Sequence, residues 1–310
     1  MAIVIESSAS AGWSGVDNGN TMTITKPTGL AVGDLMLSVI GMCDEDSTPL
    51  ACTPPGSWST FFNDVGNTAS GSNGSLKILC FYKVADSGDV AASNFSFTNT
   101  SGEGAGMAGI IYRITGSGSG ASMQYAYDDD NSGGGTTETF TNTLTPAFAN
   151  GYLFFASVGI DSTGAHTSSG YSITTNNPTW SEDADYGADG SLFAYFGSGN
   201  GACPNFAIAS ASRPETTATG NSSVTLSTNT NYISGVMIYL PPVTSVTVTL
   251  DGAGILTLGQ GGSHDFVLDY LVQMTSPGTI TLSTPEPTIE AEQNSEWTND
   301  SKPSTTWTND

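Results

Sequence analysis

The chain has 310 residues, and its 29 acidic residues against six Lys and Arg give a formal net charge of −23. This charge disfavours binding to nucleic acid, because a protein needs Lys or Arg side chains to displace the counterions of the phosphate backbone. It also disfavours binding to an anionic membrane surface. The chain contains no apolar run near the roughly 20 residues that a membrane span requires.

Short apolar or alternating runs, separated by Gly, Asn, Ser and Pro, predict an all-β chain without a convincing helix. Phe95 and Phe97 alternate with polar residues, as on a strand with one wet face. The runs Leu35–Ile40 and Leu153–Val158 are almost wholly apolar, as on strands covered on both faces. So many short strands predict a β-sandwich or a jelly roll. In chain order, the predicted strands are Ala2–Glu6, Met22–Thr25, Asp34–Met42, Leu76–Val84, Asn94–Thr98, Met107–Ile114, Met123–Tyr127, Thr137–Thr143, Tyr152–Ile160, Ser191–Phe196, Asn205–Ala209, Ser223–Ser227, Ile233–Leu240, Ser245–Leu250, His264–Gln273 and Thr279–Leu282.

An internal repeat relates residues 30–115 to residues 148–240. Two sheets of one sandwich, or two tandem sandwiches, would both produce such a pattern. One large domain over residues 1–242 is preferred, because the strands within 2–25 and 123–143 then supply pairing partners for each half. The matching segments keep their order: Gly33–Leu37 with Asn150–Phe155, Pro55–Trp58 with Pro178–Trp180, the strand beginning Ser75-Leu76 with that beginning Ser191-Leu192, and Gly109–Tyr112 with Gly235–Tyr239.

Pro241 and Pro242 end this domain, since proline cannot continue a central strand and stiffens a linker. Residues 243–284 are expected to form a small β unit, and residues 285–310 an extended polar tail. The tail repeats Trp-Thr-Asn-Asp at Trp297 and Trp307, which places both rings on one face of an extended chain, about 33 Å apart. Because Trp side chains are costly to leave in water, we expect them to dock into pockets on a neighbouring subunit. A disordered end, or a leftover of repeat expansion, is the alternative.

Three acidic clusters supply the carboxylate ligands that calcium takes. They are Asp44-Glu45-Asp46, Asp128-Asp129-Asp130, and the set Asp183, Asp185 and Asp189. The third set looks like a calcium loop, although it departs from the EF-hand spacing. A solvated acidic loop is the preferred alternative for each cluster.

Trp58, Trp180 and Tyr186 lie in loop-like stretches, where exposed rings would be able to stack on the sugars of a glycan. Trp58 and Trp180 occupy equivalent places in the repeat. A shared packing role is therefore the preferred reading for these two residues.

The sequence shows no recognisable catalytic arrangement and no cofactor motif. His166 and His264 lie near no nucleophile-elbow pattern. The Gly-rich stretches 116–120 and 133–135 lack the Lys and the spacing of a phosphate-binding loop. A carboxylate pair for glycoside hydrolysis stays open, because such partners meet only in three dimensions. We therefore expect a protein that is not an enzyme.

The start Met1–Glu6 lacks the basic residues and the apolar stretch of a signal peptide, so synthesis and folding in a cytoplasm are expected. The four cysteines form no CxxC pair and no zinc pattern. Cys80 falls in an apolar run and is expected in the core. Cys43 and Cys52 are expected to be reduced thiols, with a disulfide between them as the alternative in an oxidising medium.

Several short motifs resemble those of bacteriophage and prophage virion proteins. The segment 26–40, with its Pro-x-Gly and Gly-Asp-Leu pattern, is similar to a stretch that leads the first core strand of a β-sandwich in that group. The Pro-Gly-x-Trp turn at 55–58, the strand Phe81–Val84 and the closing segment Met237–Pro242 are also similar, so the likeness covers about residues 1–242. The Trp-Thr-Asn tail is similar to repeats on small phage structural proteins and is the more specific motif.

The resemblance implies a tail-fibre, spike or head-decoration component, with no enzyme activity and no cofactor. We therefore expect a structural protein on the virion surface, synthesised in the host cytoplasm, with a tail-fibre or receptor-binding component as the leading reading. Head decoration is the nearest alternative. A secreted carbohydrate-binding module or adhesin, and a glycan-cleaving virion enzyme, are the alternatives from other classes. The expected partners are other virion proteins, copies of itself and a host cell-surface glycan, without nucleic acid or membrane insertion.

Overall fold

A computed structural model describes residues 3–14, 21–44, 50–65, 75–101, 105–117, 122–130, 135–161, 167–187, 203–227 and 232–243, together with 256–257 and 280–281. The described residues are almost entirely strands in several antiparallel sheets, so the prediction of an all-β sandwich is confirmed. The chain divides into a compact unit, Met1–Thr244, and a second unit, Ser245–Asp310. The described residues of the second unit are Leu256–Thr257 and Ile280–Thr281, which pair in parallel.

Eight strands and one short helix make up the first half of the larger unit. They are β1 (Val4–Ser14), β2 (Thr21–Thr25), β3 (Leu35–Asp44), β4 (Cys52–Thr53), β5 (Ser59–Val65), β6 (Ser75–Val84), α1 (Ser87–Ala91), β7 (Asn94–Asn99) and β8 (Gly106–Thr115). Five strands form a sheet in the order β1-β8-β3-β6-β5, and three form a second sheet in the order β2-β7-β4.

Eight more strands make up the second half. They are β9 (Gln124–Asp130), β10 (Thr137–Phe140), β11 (Gly151–Asp161), β12 (Ser168–Ile173), β13 (Ser181–Gly187), β14 (Cys203–Arg213), β15 (Ser222–Leu226) and β16 (Tyr232–Leu240). The five-stranded sheet has the order β9-β16-β11-β14-β13, and the three-stranded sheet has the order β10-β15-β12.

The two halves share one topology, strand for strand. In each, the order first-eighth-third-sixth-fifth faces the order second-seventh-fourth. The register agrees as well, since Ile40 pairs with Gly109 in the first half and Ser157 pairs with Gly235 at the same place in the second. The repeat in the sequence therefore corresponds to a whole eight-stranded sandwich that occurs twice. In a jelly roll the fifth strand would pair with the fourth, whereas in each half it pairs with the sixth. The jelly roll therefore stays a prediction.

Apolar side chains fill three layers between four sheets. One outer core, which includes Phe97 and Ile111, lies between β2-β7-β4 and its five-stranded sheet. The other outer core, which includes Phe140 and Phe155, lies between β10-β15-β12 and its five-stranded sheet. The central core lies between the two five-stranded sheets. The middle strands of these sheets are covered on both faces, which is why β3 and β11 are apolar almost throughout.

The central core joins the two halves. Val39 of the first half and Phe154 of the second are fully buried in it. The two sheets approach closely at Gly41, where a Cβ atom would lie 2.5 Å from the ring of Phe206. The two sheets therefore depend on the absence of a side chain at Gly41.

The edges of the two five-stranded sheets meet in a reciprocal way. Strand β1 lies against β13, and Phe62 of β5 packs on Tyr125 of β9. Each contact joins the first strand of one half to the fifth strand of the other, which is the arrangement of a two-fold pseudosymmetry. In the described part of the chain, backbone pairing between the halves is limited to the isolated bridge Ser117–Pro242 and the adjoining hydrogen bond from the N–H of Val243 to the carbonyl of Gly116.

The turn before β3 explains the Pro-x-Gly and Gly-Asp-Leu pattern at 26–40 in physical terms. Gly29 and Gly33 have positive φ angles of 73° and 92°, which glycine adopts without strain. The carboxylate of Asp34 accepts hydrogen bonds from the backbone N–H of Ala31 (2.8 Å) and from Nε of Arg113 (2.6 Å). The turn is thereby fastened to β8.

The second half fastens the same turn with different chemistry. By register, Gly151 occupies the place of Asp34, and Tyr239 occupies the place of Arg113. The hydroxyl of Tyr239 donates a hydrogen bond to the carbonyl of Phe148, and a Cβ atom at Gly151 would overlap the Tyr239 ring. The same two positions therefore hold an ion pair in the first half and a Gly–Tyr pair in the second.

Four strands of the larger unit, the short strand Leu256–Thr257 and the helix were not expected from the sequence. Strands β4, β5, β12 and β13 carry polar or short patterns, and β13 holds three carboxylates. The expectation of no helix is wrong at α1, where Asp86 accepts hydrogen bonds from the N–H groups of Gly88 and Asp89, and Asp89 accepts one from the N–H of Asp86. A helix of five residues is too short to show a periodic pattern. No helix among the described residues is long and apolar enough to cross a membrane.

One match in the sequence repeat is wrong. The counterpart of the strand that begins at Ser75 is β14, which begins at Cys203, and not the segment at Ser191-Leu192. The connection between the fifth and sixth strands is nine residues in the first half, 66–74, and fifteen in the second, 188–202. The predicted strands Ser191–Phe196, Ser245–Leu250 and His264–Gln273 lie outside the described residues.

Gly41→Ala is expected to lower the free energy of unfolding by about 1–3 kcal/mol, because the added methyl group overlaps the buried ring of Phe206. Gly56→Ala is the matched control, since a Cβ atom at Gly56 meets nothing within 4 Å. Denaturant titration measures both changes. The double variant Gly41→Ala/Phe206→Leu should recover part of the loss, and equal stability of the two single variants would contradict the close packing at Gly41.

Candidate functional site

Two tyrosines stand exposed on the edge strand β9. Tyr125 and Tyr127 are 37% and 46% exposed, and they share a face of the strand because they are two residues apart. Their ring centroids are 6.5 Å apart, with 18° between the ring planes. Among the strands that the structure describes, β9 pairs with β16 alone. The edge of this sheet therefore carries two near-parallel aromatic rings in contact with solvent.

The first half holds Tyr125 in place. Its ring packs on Phe62 of β5 at 4.7 Å and meets Phe61 edge-on at 5.3 Å. Phe62 is buried and belongs to the central core. A ring backed by the core loses little further freedom when it contacts a ligand, so the position of Tyr125 is set before binding.

Asp129 continues this row by two more residues along β9. Its carboxylate oxygen Oδ1 is buried and has no hydrogen-bond partner among the described residues. Burial raises the pKa of Asp129, a hydrogen bond between its carboxylate and the side chain of Ser234 opposes this effect, and the charge of Asp128 adds to it. Asp128 lies on the opposite face of the strand and accepts hydrogen bonds from the N–H and the hydroxyl of Thr141, at 2.6 and 2.7 Å. Of the two carboxylates, Asp129 thus keeps acceptor capacity for a ligand.

The set Tyr125, Tyr127 and Asp129 is called the β9 row below. Its rings offer apolar faces with a negative quadrupole, and its carboxylate offers a hydrogen-bond acceptor. This site was not predicted from the sequence. The predicted strand Met123–Tyr127 contains both tyrosines, but the alternation of Tyr with Gln and Ala does not indicate which face of the strand is exposed.

The alternative of a glycan contact at Trp58 is wrong. Trp58 is only 8% exposed, and its ring packs edge-on against Phe95 and Phe97 in an outer core. Trp180 is half-buried, with its ring against Phe155 and Tyr171. Each Trp directly precedes the fifth strand of its half. The packing interpretation, based on the repeat, therefore describes both residues better than sugar stacking.

Tyr186 lies on β13 and not in a loop, so that expectation is also wrong. Its hydroxyl shares a hydrogen bond of 2.6 Å with Oγ of Ser10, and its ring covers Gly12. These partners belong to β1. Tyr186 is thus a partly buried member of the contact between the halves.

The segment with Asp183 and Asp185, for which a solvated loop was preferred and a calcium loop was the alternative, is a strand, β13. Asp183 accepts a hydrogen bond of 2.8 Å from the hydroxyl of Tyr112, in the first half. Asp185 accepts hydrogen bonds from the N–H of Ser168 at 2.7 Å and from Nδ2 of Asn205 at 3.0 Å, in the second half. The two carboxylates therefore serve different contacts, and Asp189 lies outside the described residues.

The remaining candidate residues fall partly outside the described chain. Asp44 ends β3, and Asp128 to Asp130 lie on β9, so neither acidic cluster is wholly a loop. No group of three or more His, Cys, Asp or Glu side chains able to hold a metal ion occurs in the part of the chain that the structure describes. Outside that part lie Glu45, Asp46, His166, His264, Trp297 and Trp307.

The cysteines carry thiols where the structure describes them. Cys43 and Cys80 are buried, and Cys52 is half-buried, with no disulfide between Cys43 and Cys52. Burial raises the pKa of Cys52 to about 12. A thiol with so high a pKa is a poor nucleophile at neutral pH.

Comparison of the chain with protein-family models, with curated proteins and with solved structures finds no match.

Asp183→Asn is expected to flatten the dependence of stability on pH above about pH 4. Burial raises the pKa of Asp183 above its ordinary value of 3.8, so the folded state binds the proton more tightly than the unfolded state. The contribution of Asp183 to stability is thus greatest below pH 3.8 and falls as the pH rises through its folded-state pKa. Asparagine keeps an acceptor for Tyr112 and removes the charge. The pKa of neighbouring Glu182 and Asp185 is also raised by burial, so part of the slope should remain.

Asp86→Asn is the matched control with the opposite sign. Lys83 lowers the pKa of Asp86, so its contribution is present above the unfolded-state pKa and is lost as the pH falls. Unfolding free energies measured from pH 3 to pH 8 on both variants separate the two effects. Parallel pH curves for the wild type and Asp183→Asn would contradict the role given to Asp183.

Proposed function

We propose that this chain is a structural protein on the surface of a bacteriophage particle, as a tail-fibre or receptor-binding component. The observation that carries the proposal is the doubled sandwich, in which two equivalent eight-stranded halves share a central core. Close-packed cores and continuous ladders hold side chains at fixed positions. Such a body is suited to presenting a surface to a partner.

The phage-like motifs support the proposal through their positions in this body. Asp34 fastens the turn that leads into β3, and Trp58 closes an outer core at the start of β5. The closing segment Met237–Pro242 ends β16 and supplies the bridge from Pro242 to Ser117. These motifs build the sandwich, so they favour the class of protein without naming its receptor.

The net charge and the number of copies on a particle would determine how such a protein avoids self-association and attaches to a host. A net charge of −23 keeps copies apart outside a specific interface. Many copies on one particle convert weak single contacts into firm attachment.

Purified particles labelled with gold-conjugated antibodies against this chain are expected to carry gold at the tail. Antibody absorbed beforehand with the purified chain is the control. Label on the head would replace the tail-fibre proposal with head decoration. Absence of the chain from purified particles by mass spectrometry would contradict both, and secretion of the chain by uninfected bacteria would favour the adhesin alternative.

Deletion of residues 286–310 is expected to leave the sandwich folded and to stop its incorporation into particles. The sandwich lies within the separate unit Met1–Thr244, and we propose that Trp297 and Trp307 dock on other virion proteins. Thermal unfolding of the truncated protein and its amount in purified particles are the measurements. The double variant Trp297→Ala/Trp307→Ala tests the rings alone, and normal incorporation of the truncated protein would contradict docking through the tail.

A further inference from the structure

We propose that the β9 row, Tyr125, Tyr127 and Asp129, is a binding site for a neutral glycan. This inference rests on the proposed function for its biological meaning, since a receptor-binding component needs a site for its receptor. The binding itself is a property of the purified chain, so either proposal can fail alone.

The tyrosines are not required by the fold. Tyr125 pairs with Ile238 and Tyr127 pairs with Val236 in the second half. At the same places in the first half, Ser8 pairs with Tyr112 and Ser10 pairs with Ile110. The repeat thus supplies an internal comparison, in which the same strand position holds a serine in one half and a tyrosine in the other.

The comparison also shows how the two edges differ in the described residues. Along β1, the small side chains at Ser10 and Gly12 leave room for the ring of Tyr186, which packs against this part of the edge. Along β9, Phe62 supports Tyr125 from beneath, and Tyr127 remains 46% exposed. A large exposed aromatic side chain that the scaffold does not need is a feature of binding surfaces.

The chemistry of the row matches a sugar. The C–H faces of a pyranose ring are apolar and pack on aromatic rings, and the sugar hydroxyls are hydrogen-bond donors. Asp129 Oδ1 is a buried acceptor without a partner among the described residues, and leaving such an atom unpaired has a cost. When the half-buried Asp129 side chain turns outward, a sugar hydroxyl can donate to Oδ1, which removes this cost and fixes the orientation of the sugar on Tyr127.

Charge decides between kinds of glycan. The row contains a carboxylate and lies next to Asp128, and the whole chain carries −23. A sulfated or sialylated glycan would be repelled, because like charges in a partly desolvated site disfavour binding. The ligand class is therefore a neutral oligosaccharide. A peptide that adds a strand to the β9 edge would use the backbone groups of β9 and would not depend on the tyrosine rings.

The test uses the full chain and isothermal titration with neutral oligosaccharides of glucose, galactose, mannose and N-acetylglucosamine, beside sulfated and sialylated counterparts. At least one neutral oligosaccharide is expected to bind. Tyr127→Ser, which copies Ser10 of the first half, is expected to weaken binding about tenfold, with an unchanged melting temperature. Val32→Ser, at a side chain that is 66% exposed and lies outside the row, is the matched control and should leave binding unchanged.

Asp129→Ala is expected to weaken binding of the same oligosaccharide, and Asp129→Asn to preserve most of it, because the amide oxygen still accepts a hydrogen bond. No binding by any neutral oligosaccharide at millimolar concentration would overturn the inference. Equal affinity of Tyr127→Ser and the wild type, or a preference for the acidic counterparts, would also overturn it. Failure of antibody labelling on particles, with glycan binding intact, would remove the virion proposal and leave this site.

Discussion

Face-to-face packing of the two five-stranded sheets is the constraint on which the rest of the larger unit depends. It covers the second face of β3 and β11, whose first faces are covered by the three-stranded sheets, and so requires side chains that are apolar on both sides. It also determines which edges meet. Because β5 comes to lie beside β9, a buried phenylalanine of one half supports an exposed tyrosine of the other. The candidate site is thus a product of the contact between halves, and neither half alone would form it.

Strands with buried faces are predictable from the sequence, because their apolar residues are continuous or alternate. Polar edge strands are not predictable in this way. The alternation of Phe95 and Phe97 and the apolar run Leu35–Ile40 are each found as strands, with the expected faces buried. Strand β13 was not predicted because its Glu and Asp residues are typical of a loop. In the fold, Asp183 and Asp185 accept hydrogen bonds from neighbouring residues. The helix α1 is fixed by two reciprocal aspartates at its start and leaves no periodic signal. The misplaced repeat match arises from six extra residues in one connection, which no local pattern reveals.

The candidate site was less predictable than the fold, since exposure is decided by distant residues. Trp58, Trp180 and Tyr186 have the chemistry of a sugar platform, but their rings are covered by residues far along the chain. Tyr125 and Tyr127 have the same chemistry and remain open. Comparison of equivalent positions in the two halves distinguishes buried aromatic residues from exposed ones better than residue type does. Trp58 and Trp180 serve the same purpose in both halves, whereas Tyr127 stands where the other half has Ser10.

The near absence of backbone ladders between the halves, in the residues that the structure describes, has a consequence for how such chains diversify. Each half completes its own sheets and carries both members of its turn-fastening pair, so a half transfers as an intact module. Recombination that joins the first half of one such protein to the second half of another needs to preserve the inner face of each central sheet and the contacts where β1 meets β13 and β5 meets β9. Genes of this design can therefore exchange halves and change what they display, while the shared core remains the same.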